Sequence, residues 1–363
     1  MRGADVTQEA LFTVAKLEDF VPSDHPLRPI RHMVNGALKG LDMLFSQIYA
    51  DGGRASIAPE KLIRALLLQV LYSVRSERLL VEQLHYNLLF RWFVGLAIDD
   101  AVWDHSTFSK NRDRLIEHAV IEALFGEVLD FAEKSRLLSD EHFSVDGTLI
   151  KAWASQKSFR PKDGAPPPED RPGRNPDTDW RGQPRSNETH ASSTDADARS
   201  YRKSDRTEAV LAYLGHVLIE NRSGLVVNAK ASLAEGSAER EAALSMLAEL
   251  PPKPNRSVGA DKAFDTFDFV AAVRALGFTA HVAQNSKRRG GSALDERTTR
   301  HPGYELSQRI RKRVEEPFGW GKTVGQIRQT LFRGLQRVNL QLLLTMAANN
   351  LVRMRSLLAP VAQ

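Results

Sequence analysis

Residues 142–150, HFSVDGTLI, alternate apolar and polar side chains through Phe143 and Val145 and then run into Leu149 and Ile150. A period of two is the repeat of a β-strand. Everything upstream carries a different period. After Pro59, a residue favoured at the first position of a helix, Ile63, Leu67, Val70 and Val74 recur at helical spacing. Ser76 is placed to cap a second helix carrying Leu80, Leu84, Leu88 and Trp92, and Ser106 or Thr107 a third, Phe108–His118. Residues 1–135 are therefore expected to form an all-helical domain, and residues 138–358 a second domain that opens with this strand.

Downstream of the strand, residues 155–206 are rich in Pro, Gly, Ser, Asp and Arg and almost free of aliphatic side chains. Such a stretch buries too little apolar surface to offset its ordering entropy, so a mobile insertion within the second domain is expected. A hairpin follows, 209–219 with 225–230 around Asn221-Arg222-Ser223-Gly224, then a helix 238–249 and a strand 257–260. A helix 267–276, a strand 279–283, a basic loop and a mostly helical stretch 304–358 complete the chain. Early strands followed by alternating helices and strands predict an α/β fold, a mixed sheet flanked by helices.

The 363 residues are 42% hydrophobic, enough for a sizeable core, and contain no cysteine. Disulfides, thiolate metal sites and a cysteine nucleophile are excluded. Neither G-x-S-x-G nor G-x4-G-K-[ST] occurs, which leaves serine-hydrolase and P-loop chemistry without support. The net charge of +5 is too mild to establish nucleic-acid binding by itself. The opening MRGADVTQEALF lacks an apolar signal core, and the most apolar run, 340–346, is soon broken by Asn349, Asn350 and Arg353. A soluble, cytoplasmic protein without membrane contact is expected.

Three acidic residues stand out, each with an ordinary reading beside the functional one. Asp146 precedes Gly147, a pair common in hairpins; Asp261, in VGADKAFD, is placed to cap the next helix; Glu315, in RIRKRVEEPFGWGK, is placed to pair with Arg311. Together they describe something more specific. Two carboxylates at the ends of neighbouring strands and a third from a later helix supply hard oxygen ligands of the kind Mg2+ takes. Two such ions can activate an attacking oxygen and stabilise the leaving one in phosphoryl displacement.

With these residues in place the chain resembles a DDE transposase of the insertion-sequence-five type, within the wider ribonuclease-H-like group. The resemblance is carried by FSVDGTLIKAW, by VGADKAFD, and by Arg311, Glu315 and Lys322 in the pattern R-x3-E-x6-K. GRASIAPEKLIRALLLQVLYSVRSERLLVEQLHYNLLFRWFVGL and DHSTFSKNRDRL resemble the family's N-terminal domain. It covers nearly the whole chain outside the polar stretch. It implies a ribonuclease-H-like sheet, Asp146, Asp261 and Glu315 as ligands of two Mg2+ ions (or Mn2+), and phosphate contacts from Arg311 and Lys322. Glu316 competes with Glu315, and Pro317 is expected to kink or restart the helix there. The family's tyrosine three residues before the arginine is replaced by Gln308, with Tyr304 off register.

The resemblance also implies double-stranded DNA as partner, both as terminal inverted repeats and as target, with a homodimer or higher oligomer assembled on it in a bacterial nucleoid. Lys287, Arg288, Arg289 and Arg313 lie in a strongly basic segment expected to hold the DNA backbone. Lys110 and Arg112, with Asn111 and Arg114, are expected on the exposed part of the third helix, where they could reach a groove. Trp92, Phe93, Phe318 and Trp320 are expected in the core, and His142 and His216 to be structural. Lys151 and Trp153, close behind the first aspartate, are expected along the DNA path without a catalytic role. A metal-dependent nuclease without strand transfer and a non-catalytic DNA-binding relative are the alternative readings.

Overall fold

The apolar periodicities become helices where caps allow them to start and stop. The computed structural model describes residues 16–49, 56–162, 185–203 and 207–359. Its first region is α1 (Leu17–Phe20), α2 (Leu27–Gly40), α3 (Asp42–Ile48), α4 (Pro59–Leu71), α5 (Glu77–Tyr86), α6 (Leu88–Val94), α7 (His105–Glu117) and α8 (Val120–Lys134). Pro59 opens α4, and Ser76 caps α5 by accepting from the Leu79 N–H at 3.1 Å. The single helix expected from Leu80 to Trp92 is two. Asn87 ends α5 and its side chain caps α6, accepting from the Phe90 N–H at 3.2 Å. The cap of α7 is Asp104, not Ser106 or Thr107, because its carboxylate accepts from the Ser106 N–H at 2.8 Å.

The second region is β1 (His142–Lys151), β2 (Phe159–Pro161), β3 (His190–Ser192), β4 (Arg199–Tyr201), β5 (Val210–Glu220), β6 (Val226–Leu233), α9 (Ala238–Ala248), β7 (Arg256–Ala260), α10 (Phe267–Ala275) and β8 (Phe278–Val282). The chain ends in α11 (Glu296–Thr299), α12 (Pro302–Ile310), α13 (Glu315–Thr323) and α14 (Leu335–Leu358). The mixed sheet runs β5-β1-β7-β8, with β1 antiparallel to β5 and parallel to β7, and β7 parallel to β8. β6 and β4 share the other edge of β5, β6 along Tyr213–Ile219 and β4 along Val210–Ala212.

Helices cover both faces of this sheet. Phe143 and Val145 pack with Met246, Leu247, Phe269 and Val270 of α9 and α10, while Ile150 packs into the cluster containing α14. Burial along β1 is accordingly continuous over Phe143–Val145 rather than alternating, as befits a strand covered on both sides. The same cluster runs from Val21 in the helical region to Met354 of α14, so the helical region and the sheet share one core. Trp92, Phe93 and Phe318 lie in it, and Trp320 packs against it.

Two expectations are corrected by this packing. Arg112 does not face solvent: it is buried on α7, paired with Glu77 and with Asp113 at 2.8 Å, and its guanidinium lies 5.0 Å over the Phe332 ring. Asn111 is buried with it, whereas Lys110 and Arg114 are exposed. Asp113 is in turn bridged to Arg337 of α14 at 2.9 Å, so this cluster ties the helical region to the rest.

The polar stretch 155–206 is ordered at both ends. β2 pairs with β3, and β4 joins the main sheet. Hydrogen bonds replace aliphatic burial here. Buried Asp195 accepts from the Tyr213 hydroxyl at 2.7 Å and the Gly334 N–H at 3.1 Å, and Asp197 accepts from the Leu335 N–H at 2.9 Å. Together they satisfy donors at the start of α14. Residues 163–184 and 204–206 of the expected insertion lie outside the described residues.

Removing one partner of a buried ion pair strands the other. Arg112→Ala should therefore cost roughly 3–5 kcal/mol, and Lys110→Ala less than about 0.5 kcal/mol. Urea unfolding of the two variants checks this; equal midpoints would show that the Arg112 cluster does not hold the helical region in place.

Candidate active site

Pairing between β1 and β7 decides where the acidic residues meet. His142 lies opposite Ser257, Phe143 opposite Val258 and Ser144 opposite Gly259, a constant offset of 115 (257 − 142) that, carried two residues past the last pair, sets Asp146 level with Asp261 (261 − 146 = 115). Asp261 is the first residue beyond β7, so the two carboxylates stand where the parallel ladder ends. A crevice beyond the carboxyl ends of parallel strands is the usual place for a ligand in such sheets. Both ordinary readings are partly true. Asp146 sits in mid-strand and accepts from the Gly147 N–H at 2.8 Å; Asp261 caps the short 3-10 turn Lys262–Phe264, accepting from the Ala263 N–H at 2.7 Å. In each case the bond uses Oδ1, and Oδ2 has no hydrogen bond among the described residues.

Glu315 arrives from the other direction. α12 stops at Ile310, a 3-10 turn spans Arg311–Val314 and packs against β1 and β5, and α13 begins at Glu315. Pro317 thus sits in the first turn of α13, where its missing N–H breaks no intrahelical bond. Of the two adjacent glutamates, Glu316 turns to Arg353 of α14 at 2.9 Å, while the charge of Glu315 acts on Asp146. No ion pair joins Glu315 to Arg311 among the described residues. Arg311 Nε instead donates to Gln308 at 3.1 Å, and Gln308 donates to the His281 carbonyl. The residue standing in for the expected tyrosine therefore orients the arginine. The Tyr304 hydroxyl is spent on the Val282 carbonyl at 2.9 Å.

Electrostatics mark this as a crowded acidic centre. Burial raises the Asp146 carboxyl above the usual range; the Gly147 N–H opposes the rise, and the charges of Asp261 and Glu315 add to it. A fourth carboxylate, Glu239 in the first turn of α9, is also raised, by burial first and then by Asp146 and Asp261. It comes close because residue 147 is glycine: a Cβ there would lie 2.9 Å from Glu239 Oε1. Lys322 on α13 is lowered by burial and by Lys203 and Arg328, and its charge is drawn by Asp146. The donor chemistry fits a hard divalent cation, since repelling carboxylates with spare oxygens gain by one. As they stand, no three acidic or histidine side chains among the described residues are close enough together to hold a metal ion.

The other predicted residues make no hydrogen bond or ion pair with these carboxylates among the described residues. Lys287, Arg288 and Arg289 are exposed in the loop after β8, and Lys110 is exposed on α7. Arg313 is committed to structure, donating to the carbonyls of Asn221 at 2.6 Å and Arg222 at 3.0 Å in the β5–β6 turn. His142 and His216 are bonded at 2.8 Å to Ser257 and Ser232; burial pushes His216 down to about 4. Lys151 and Trp153 are exposed at the end of β1.

Two family models match the chain: "Transposase domain (DUF772)" over residues 15–114 and "Transposase DDE domain" over residues 137–351. The chain belongs to the transposase DDE domain family. It is a DDE transposase with a mixed sheet flanked by helices, and its family works with divalent metal ions. No curated protein matches it. Among solved structures, a piggyBac transposase synaptic complex with hairpin DNA aligns at 10% identity over 93% of this chain and 77% of that one, with a TM-score of 0.43. A Mos1 transposase paired-end complex with left transposon end aligns at 10% identity over 80% and 87%, with a TM-score of 0.20. These likenesses are distant, and the family match carries the assignment. No helix among the described residues of the transposase is long and apolar enough to cross a membrane.

Sequence reasoning missed Glu239, Lys203 and Arg328. None lies in a motif, and only the approach of α9 to Gly147 gives Glu239 away. A carboxylate raised on folding contributes stability below its unfolded value, near pH 4, and loses it as pH rises through the folded value. Metal-free Asp146→Asn transposase should therefore melt higher than wild type at pH 7, and the gap should shrink towards pH 4. Mg2+ should raise the melting temperature of wild type more than that of the variant. Calorimetry with and without EDTA tests this, and a variant less stable at both pH values would refute the repulsion.

Proposed function

We propose that this transposase binds the terminal inverted repeats of an insertion sequence, hydrolyses the phosphodiester bond at each element end, and joins the freed 3′-hydroxyl to target DNA. The observation that carries the reading is that Asp146 of β1 and Asp261, just beyond the end of parallel β7, fall at one level by the register of the ladder, with Glu315 acting on Asp146 from α13. Asp146, Asp261 and Glu315 would hold two Mg2+ ions (Mn2+ serving as well). When bound, such ions supply Lewis-acid stabilisation and an activated oxygen nucleophile.

The protein's own contribution is to position charge. Asp146 is fixed by its pairing with Val217 of β5, two residues beyond the last β1–β7 pair, which leaves it little freedom to follow a misplaced substrate. Lys322, partly buried beside Asp146, presents a point charge to the scissile phosphate. Arg311, held by Gln308, presents a planar fork to a neighbouring one. Further out, exposed Lys110 on α7 reaches the terminal-repeat duplex; the helical region, residues 1–135, acts as the DNA-binding domain and residues 138–358 as the catalytic one. Two ends must be held at once, so the working form is a dimer or larger assembly on DNA.

Incubation with labelled DNA carrying the parent element's end, in Mg2+ or in EDTA, tests the reading. Cutting at the end and joining to target should require Mg2+. Asp146→Ala should slow cutting by about a thousandfold, equivalent to roughly 4 kcal/mol, while end binding stays within about twofold. Unchanged cutting would remove Asp146 from the site, and cutting without joining would reduce the protein to a nuclease.

A further inference from the structure

β8 leaves the sheet beside the acidic centre. It runs parallel to β7 with Ala260 opposite Val282, and the Ala283 N–H donates to the Ala260 carbonyl at 3.0 Å. The segment that follows therefore starts level with Asp261. It reads NSKRRGGSA from Asn285 to Ala293, with three consecutive cations, all exposed.

One buried side chain closes this loop. Asp265 is fully buried; its Oδ2 accepts from the Asn285 N–H at 2.7 Å and its Oδ1 from the Ala293 N–H at 2.9 Å. Both oxygens are thus used at the two ends of the same loop, and no ion pair with Asp265 occurs among the described residues. Burying a carboxylate against amides alone is costly, which argues that the loop's shape matters. Within it, Arg288 N–H donates to the Asn285 carbonyl at 3.2 Å and Gly291 N–H to the Arg288 carbonyl at 3.0 Å. The Arg288 guanidinium folds back onto the Asp265 carbonyl at 2.6 Å. Lys287 and Arg289 remain, without a side-chain hydrogen bond or ion pair among the described residues.

We infer that Asn285–Ala293 is a preformed phosphate clamp. Asp265 is the positioning residue that sets its shape, and Lys287 and Arg289 neutralise two phosphates of the duplex beside the cleavage point, whatever the base sequence. Arg288 belongs to the clamp's frame. The inference rests on the DNA-cleaving reading above and adds a distinct set of contacts to it.

Full-length protein is titrated with duplex carrying the element end, Ca2+ replacing Mg2+ to prevent turnover, and affinity is followed by anisotropy across a salt series. Each phosphate contact contributes about 0.9 to the slope of log affinity against log salt. Lys287→Ala with Arg289→Ala should flatten the slope by about 2. Wild-type affinity should then fall roughly 12-fold further than the variant's between 50 and 200 mM salt. Asp265→Asn should flatten the slope by a similar amount and add nothing to the double variant. A smaller folded fraction scales affinity equally at every salt concentration, so it leaves the slope alone.

Gly290→Val with Gly291→Val is the second route. Their φ values are +94° and +76°, and a Cβ at either position meets no neighbouring atom within 4 Å; the substitution strains the loop without touching the core. It should reproduce the flattened slope while the fold is kept, the melting temperature falling only by the strain of the loop, and it decides the matter where Asp265→Asn does not fold. Wild-type slope in the Asp265 or glycine variants, or additivity with Lys287→Ala and Arg289→Ala, overturns the clamp. Wild-type protein that binds no DNA at any salt concentration overturns the DNA reading as well, whereas binding and cutting with an unaltered variant slope overturns the clamp alone.

Discussion

Parallel pairing between β1 and β7 is the constraint on which the site depends. Its register sets Asp146 level with Asp261, and the alternation of side chains decides which face each neighbour serves. Gly147 points towards α9 and receives Glu239, while Ile150 belongs to the face that carries α14. A slip of one residue would exchange the faces, turning Asp146 towards α9. The antiparallel partner β5 holds β1 from the other side over nine residue pairs, from Phe143 to Lys151, which leaves the register no freedom. Buried Glu220 then shapes the β5–β6 turn by accepting from the Arg222 and Ser223 N–H groups, at 2.9 and 2.8 Å.

Charge is arranged around this frame with a division of labour. At the centre, carboxylates are brought together against their mutual repulsion, with Lys203, Lys322 and Arg328 around them. Burial and neighbouring carboxylate charge both disfavour ionised Asp146 and Glu239, so a proton or a cation there is favourable. Elsewhere, cations of the same sequence type are spent on architecture. Arg112 binds Glu77 and Asp113, Arg313 clasps the β5–β6 turn, and Arg353 holds Glu316. Electrostatic attraction to a polyanion falls to those that remain exposed.

α14 connects the two regions. Its apolar face lies in the one cluster shared by sheet and helical region, and its N-terminus is capped from the polar stretch by Asp195 and Asp197. Relative motion of the helical region and the sheet would have to break this core and the Asp113–Arg337 bridge together. The helical region and the sheet are therefore held together by packing rather than by a flexible joint.

By itself the sequence determined the order and kind of the elements that carry a clear period or cap, among them α4, α7, β1 and the run from β5 to β8, because hydrophobic period and cap chemistry are local properties; the short strands β2 to β4 inside the polar stretch carry no such signal. The strands at 257–260 and 279–283 and the helices at 238–249 and 267–276 are present within one or two residues. It also singled out Asp146, Asp261 and Glu315, since spacing in motifs is visible along the chain. Tertiary structure alone decided which charges face the crevice. Glu315 and Glu316 are neighbours in sequence, yet only the turn at Arg311–Val314 and the position of Arg353 send them in different directions. Arg112 and Lys110 share a helix and a charge, and burial separates them because Glu77 and Phe332 arrive from distant segments. Glu239 and Asp265 carry no local signature, because what distinguishes them is a neighbour's missing side chain in one case and the two ends of a distant loop in the other. The environment of a charge is a sum over everything packed around it, and local pattern does not contain that sum.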